Sequence, residues 1–218
     1  MKLSVIVLAV LAVVAVLLPS VGAQSAEHAG EGFHPLFDGK TLQGWHALGG
    51  GTWTVEGGVI AGRGKSSERR HGHLFTADQY ADFTVRLKFK NLAGNSGLYF
   101  RVQKTAGDIG IKGFQAEIDA RKDVGGLYET SGRGWVVQPK PEDVKQYFKP
   151  DDWNTMTVTA RGRNVTVYVN GTKTAQVKND QGRLSGFIAL QLHGGQDMEV
   201  YFKDIEIKGA PMARPPKQ

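Results

Sequence analysis

The 218-residue chain carries 27 Lys and Arg against 21 Asp and Glu, a net charge of +6, and no cysteine. Without cysteine it forms no disulfide and takes no cysteine-linked lipid, so its stability must come from a hydrophobic core. The basic residues are spread along the chain without a basic helix or an aromatic-interleaved stripe, which argues against a nucleic-acid partner.

In chain order, Lys2 precedes an apolar run from Leu3 to Leu18, broken by Pro19-Ser20, and Val21-Gly22-Ala23 supplies small residues for a cut. This reads as a secretory signal peptide over 1–23. The run is short for a span of ~20 residues. No later segment is long and apolar enough to cross, so the mature chain should be exported, periplasmic or extracellular, without a stable membrane anchor. Residues 24–32, QSAEHAGEG, read as a flexible linker, 33–208 as one domain, and the Pro-rich 209–218 as a disordered tail.

The domain reads as β throughout. WTVEGGVIAG at 53–62 is a hairpin with Trp53 and Val55 before the turn and Val59 and Ala61 after it. Gly62 to His73 is a polar loop. In DFTVRLKFK, Phe83, Val85, Leu87 and Phe89 face one way. GLYFRVQ sets Leu98, Phe100 and Val102 against Tyr99, Arg101 and Gln103. FQAEIDA sets Phe114, Ala116, Ile118 and Ala120 inward and Gln115, Glu117, Asp119 and Arg121 outward. Tyr128 to Pro150 is a long loop with a helical turn near Glu142–Phe148. Asn170-Gly171 signals a type I′ hairpin. GFIALQLHGG buries Ile188, Leu190 and Leu192 and leaves Ala189, Gln191 and His193 on the other face. In EVYFKDIEI a change of phase at Lys203-Asp204 predicts a β-bulge. Many short alternating strands with Gly-rich turns predict an all-β, antiparallel two-sheet jelly-roll sandwich.

Seven stretches carry a family resemblance in order: PLFDGKTLQGW (35–45), WTVEGGVI (53–60), ADFTVRLKFK (81–90), NSGLYFR (95–101), FQAEID (114–119), WNTMTVTARGRNVTVYVNG (153–171) and IALQLHGG (188–195). Together they resemble the 3-keto-disaccharide hydrolase domain family. The resemblance implies a concanavalin A-like sandwich, bacterial export and action on sugars oxidised at carbon 3.

A ketone at carbon 3 acidifies the hydrogen on carbon 2, so a base can remove it and the enolate can expel the aglycone from carbon 1. Such a site needs a base near carbon 2 and a hydrogen-bond donor, a cation or one divalent metal ion beside the carbon 3 oxygen. Glu117 is the first candidate, as base or metal ligand. His193, at a strand end beside Gly194-Gly195, is placed to titrate or to share that metal. Arg101 would stabilise the enolate. Gln191, Asp119, Tyr99 and Gln103 supply polar contacts to sugar hydroxyls, and Trp135 and Tyr128 stacking surfaces. The pair His71 and His73 is a weak metal signal, since loop histidines are usually bland.

Two other readings compete. A non-catalytic carbohydrate-binding module would use the same fold. A retaining glycosidase would use Glu117 and Asp119, two residues apart on one strand face, but the later positions where a second carboxylate is expected are Arg121 and Lys122.

Overall fold

The computed structural model describes residues 32–213. In chain order the elements are β1 (His34–Pro35), β2 (Trp45–Gly49), β3 (Thr52–Glu56), β4 (Val59–Gly64), β5 (Gly72–Tyr80), β6 (Phe83–Ala93), β7 (Asn95–Lys104), β8 (Ile111–Asp119), β9 (Leu127–Thr130), β10 (Gly134–Val137), α1 (Pro141–Tyr147), β11 (Asn154–Arg161), β12 (Asn164–Val169), β13 (Thr172–Val177), β14 (Gly186–Leu192) and β15 (Met198–Lys208). The signal peptide expected over 1–23 and all of the expected linker but Gly32 lie outside the described residues. Of the expected tail, 209–213 is described: Pro211 bridges Tyr80, and the Met212 N–H donates to the Gln79 carbonyl at 2.8 Å. Among the described residues no helix is long and apolar enough to cross a membrane.

Two antiparallel sheets form the expected sandwich. One runs β13-β12-β11-β6-β15-β4-β3, with β1 also on β15; the other runs β10-β9-β8-β7-β14-β5-β2. Period-two alternation builds the layer between them. Phe83, Val85, Leu87 and Phe89 of β6 are buried against Leu98 and Phe100 of β7, Phe114, Ala116 and Ile118 of β8 and Ile188 and Leu190 of β14. Phe100 stacks on Phe114 with ring centroids 5.4 Å apart, worth about 1 kcal/mol beyond its area. On the solvent side of β6, Arg86 pairs with Glu206 at 2.6 Å and Lys88 with Asp204 at 2.9 Å.

Turn chemistry acts where the sequence places it. Asn170 and Gly171 take φ of 50° and 82°, as a type I′ turn requires. Asp204, with φ of 51°, sits in a register shift of β15 against β6 and lets both Phe202 and Ile205 face the core.

Three expectations are corrected. The β3–β4 turn is the two residues Gly57-Gly58, so Val55 pairs with Ile60, and Ile60 enters the main core in place of Val59. The region after Tyr128 is no loop: β9 and β10 pair, extending the second sheet, before α1. The third concerns β7. Its register on β8 runs Phe100↔Phe114 and then Gln103↔Lys112, so Arg101 and Val102 oppose Gly113 alone. Arg101 absorbs the extra residue with φ of 52°. Beyond this bulge the faces exchange, and Val102 joins Tyr99, Phe75, Ile111 and Ala189 in a small apolar cluster on the outer face of the second sheet.

Candidate active site

On that outer face, β7, β8, β9 and β14 surround a cavity of about 470 Å³. It gathers Glu117, Asp119, Tyr99, Gln191, His193, Tyr128 and Trp135, seven of the residues singled out from the sequence, together with Asn95, Gln115, Thr130 and His71. Tyr128 and Trp135 are cross-strand partners, their rings edge-on at 5.2 Å, and Trp135 is partly exposed at the rim.

Arg101 and Gln103 are not in the cavity, because of the bulge. The Arg101 side chain is fully buried and donates to the carbonyls of Ala81 (Nε 2.9 Å, Nη2 2.7 Å) and Gly162 (Nη1 2.8 Å), and to Asp82 at 3.2 Å. It ties the β5–β6 turn to the β11–β12 turn. Gln103 is exposed and accepts from Arg183 at 3.1 Å.

Glu117 is held at both backbone groups: its N–H donates to the Gly126 carbonyl at 3.0 Å, and its carbonyl accepts from the Gly125 N–H at 2.9 Å. Its carboxylate is 4% exposed and accepts from Asn95 Nδ2. Burial pushes the carboxyl up from 4.5 to about 8; the Asn95 bond opposes this, and the charges of Asp119 and Asp123 add to it. At neutral pH Glu117 therefore holds its proton, and the carboxylate it forms is an unusually strong base. Asp119 has a different task. Its Oδ1 accepts from the N–H groups of Arg121 (2.7 Å) and Lys122 (2.9 Å), closing the turn after β8. The pair is thus no symmetrical dyad.

Across the floor, polar side chains of four strands join. Tyr99 Oη meets Thr130 Oγ1 at 2.9 Å, Thr130 Oγ1 meets Gln115 Oε1 at 3.2 Å, Gln115 Nε2 donates to Gln191 Oε1 at 3.0 Å, and Gln191 Nε2 meets His71 Nδ1 at 3.2 Å. Gly97 makes room for this. A Cβ there would lie 2.6 Å from both Cγ and Nε2 of Gln115.

The expected polar loop ends earlier than the sequence suggested. β5 begins at Gly72, and His73 is a buried strand residue packed on Tyr99 and Phe75 at 5.5 and 5.6 Å. Two glycines bring His71 to His193. A Cβ at Gly72 would lie 2.0 Å from the Gly50 carbonyl oxygen, and one at Gly194 would lie 2.0 Å from that of Arg69. The His71 and His193 rings then stand 4.2 Å apart. Burial, and secondarily the charge of His193, lowers His71 to about 4, with Asp108 opposing. Burial takes His73 to about 3, and its Nε2 has no hydrogen-bond partner. His71 was obscured in the sequence by its polar surroundings; the signal that could have found it was the start of strand alternation at His73, Phe75 and Ala77. A divalent ion on Glu117 and His193 would need further ligands, and among the described residues no three His, Asp or Glu side chains converge to hold one.

Fold and cavity define a lectin-like β-sandwich with a pocket on one sheet, lined by polar side chains and rimmed by aromatics. The chain belongs to the family described as the 3-keto-alpha-glucoside-1,2-lyase-like domain, which matches residues 32–208. A curated relative, a 3-keto-disaccharide hydrolase of Bacteroides thetaiotaomicron, is 31% identical over 83 residues, 34% of this chain and 29% of that protein's length. Among solved structures, a provisionally assigned glycosyl hydrolase from Parabacteroides distasonis superposes with TM-score 0.63 at 24% identity, covering 83% of this chain and 94% of its own. Carbohydrate-binding module CBM66 from Bacillus subtilis superposes with TM-score 0.59 at 19% identity, covering 76% and 96%. These likenesses support the sandwich fold.

Proposed function

We propose that the protein is an exported enzyme that cleaves the glycosidic bond of 3-keto-glycosides by elimination. The observation that carries this reading is the buried Glu117, its carboxyl pushed up to about 8, inside the pocket of a chain belonging to this family. The Glu117 carboxylate takes the proton from carbon 2. The C2–H electron pair forms the C2=C3 double bond, and the carbon 3 oxygen becomes the enolate. When the ketone reforms, the C1–O bond breaks and carbon 1 is left double-bonded to carbon 2. The departing oxygen takes the proton held by Glu117. Water adding across C1=C2 makes the outcome hydrolysis; release before that makes it a lyase. Trp135 and Tyr128 offer faces for sugar rings, and Gln191, Asp119 and His193 offer polar contacts.

The test is aglycone release from a set of 3-keto-glucosides and their unoxidised parents. Release from the keto compounds alone is expected, falling by about 10²–10⁴-fold in Glu117→Gln. Because no three His, Asp or Glu side chains converge among the described residues, release should be equal with and without a chelator. The carbohydrate-binding reading draws on the rim aromatics and the likeness to CBM66. Saturable glycan binding with no product from any keto sugar would establish it instead.

A further inference from the structure

We propose that His71 stabilises the carbon 3 oxygen as it becomes an enolate, by donating its Nε2–H, and that the floor chain Tyr99–Thr130–Gln115–Gln191 holds it in that tautomer. This rests on the elimination reading and fills the role expected of Arg101, which lies elsewhere.

The direction of each hydrogen bond fixes the tautomer. Gln115 Nε2 lies within reach of two oxygens, the Ser96 carbonyl at 3.3 Å and Gln191 Oε1 at 3.0 Å. The Ser96 carbonyl can only accept, so the amide nitrogen of Gln115 must be on that side. Its oxygen then accepts from the Thr130 hydroxyl at 3.2 Å, and Thr130, having donated, accepts from Tyr99 at 2.9 Å. Because the Gln191 oxygen is taken by Gln115, its nitrogen faces His71 Nδ1 at 3.2 Å. An amide nitrogen only donates, so Nδ1 must carry the lone pair and the ring proton sits on Nε2. A second proton on Nδ1 would set two donors against each other, in keeping with the lowering of His71 to about 4 by burial.

His193 is set the other way. Its Nδ1 lies 2.7 Å from the Gly194 carbonyl, which can only accept, so Nδ1 carries a proton. Two imidazoles 4.2 Å apart on the cavity wall thus differ at Nδ1, a lone pair on His71 and a proton on His193, and neither Nε2 has a hydrogen-bond partner among the described residues. A neutral imidazole is a fit electrophile for a ketone: it donates to the developing oxyanion without attracting a counter-ion in the resting site. The competing donor is Lys122. It lines the same cavity, but its side chain is 69% exposed and sits 3.9 Å from Asp123, so it meets the oxygen only through solvent-screened charge.

The experiment uses the 3-keto form of 1,5-anhydroglucitol, a sugar with no aglycone on carbon 1, and reads its carbonyl stretch by infrared difference spectroscopy on binding. A shift to lower frequency is expected with the wild type and with Glu117→Gln, and loss of that shift with His71→Phe. With a 3-keto-glucoside, His71→Phe should lower kcat by about 10²–10³-fold at little change in KM; Lys122→Met should stay within about threefold. Gln191→Leu removes the partner of Nδ1 without touching His71, and should cost about tenfold in kcat. Its signature is in long-range proton–nitrogen NMR: His71 as the Nε2–H tautomer in the wild type, a mixture in Gln191→Leu. Thermal melts confirm that each variant is folded. An unchanged carbonyl shift or unchanged kcat in folded His71→Phe overturns the role of His71 and leaves the activity standing. An Nδ1–H tautomer in the wild type overturns the part given to the floor chain. No release by the wild type from any 3-keto-glucoside overturns the elimination reading, and this role with it.

Discussion

Replacing Glu117 by Gln should make the protein more stable, and increasingly so as the pH rises. In the folded chain burial moves this carboxyl from 4.5 to about 8. Below about pH 4.5 folded and unfolded chains both hold the proton, and the group contributes no pH dependence. Between 4.5 and 8 the unfolded chain releases it while the folded chain keeps it, so stability falls as pH rises. Above about 8 the full cost is present. At 1.36 kcal/mol per pH unit, the interval from 4.5 to about 8 is on the order of 5 kcal/mol. An amide escapes that cost, can still accept from Asn95, and is not repelled by Asp119 and Asp123. For a domain of this size about 1 kcal/mol moves Tm by 2–4 °C. Melts of both proteins from pH 4 to 9 should therefore coincide near pH 4 and diverge to roughly 10 °C by pH 8.5, with the variant higher. The same ionisation governs the base, so wild-type kcat/KM should climb with pH and level off above about 8. Parallel melting curves from pH 5 to 8.5, or a rate that levels off near pH 5, would refute the reasoning.

Arg101→Met should lower stability by about 3 kcal/mol or more in denaturant melts, because it strips donors from buried carbonyls, while kcat/KM measured well below Tm stays within about twofold. Trp135→Ala should raise KM about tenfold, since the ring is at the rim and partly exposed. Gly97→Ala should leave the fold intact but push the Gln115 amide aside, costing about tenfold in kcat and mixing the His71 tautomers; a variant with normal kcat would show that the floor chain is dispensable.

The sandwich was legible because its evidence is local. Alternation in DFTVRLKFK, the Asn170-Gly171 turn and the phase change at Asp204 each report on their own strand. So was much of the candidate site: alternation in β8 turns Glu117 outward, alternation in β14 does the same for Gln191, and both line the cavity with His193. The Arg101 error has a different origin. Leu-Tyr-Phe-Arg-Val-Gln alternates without a break, and nothing in it marks a bulge. The bulge is matched by Gly113 on the next strand and by carbonyls of Ala81 and Gly162, 20 and 61 residues away along the chain. His71 and His73 were hidden for a related reason. A histidine in GRGKSSERRHGH reads as solvated, and only the close approach permitted by Gly72 and Gly194 buries it.

One cause, desolvation, acts on both chemical partners in opposite directions. It raises Glu117 toward 8 and lowers His71 toward 4, so both groups are neutral at pH 7. A neutral keto sugar would then meet a base and a donor that both carry no charge, and charge would appear between them only as the enolate forms, where the His71 donor waits. The arrangement makes the two shifts rise and fall together. Opening the cavity to water, as Trp135→Ala does at the rim, should bring the Glu117 limb of the pH–rate profile down from about 8 and raise His71 from about 4 in the same variant. Movement of one without the other would mean that local charges, Asp119 and Asp123 for the carboxyl or His193 for the imidazole, outweigh burial at that position.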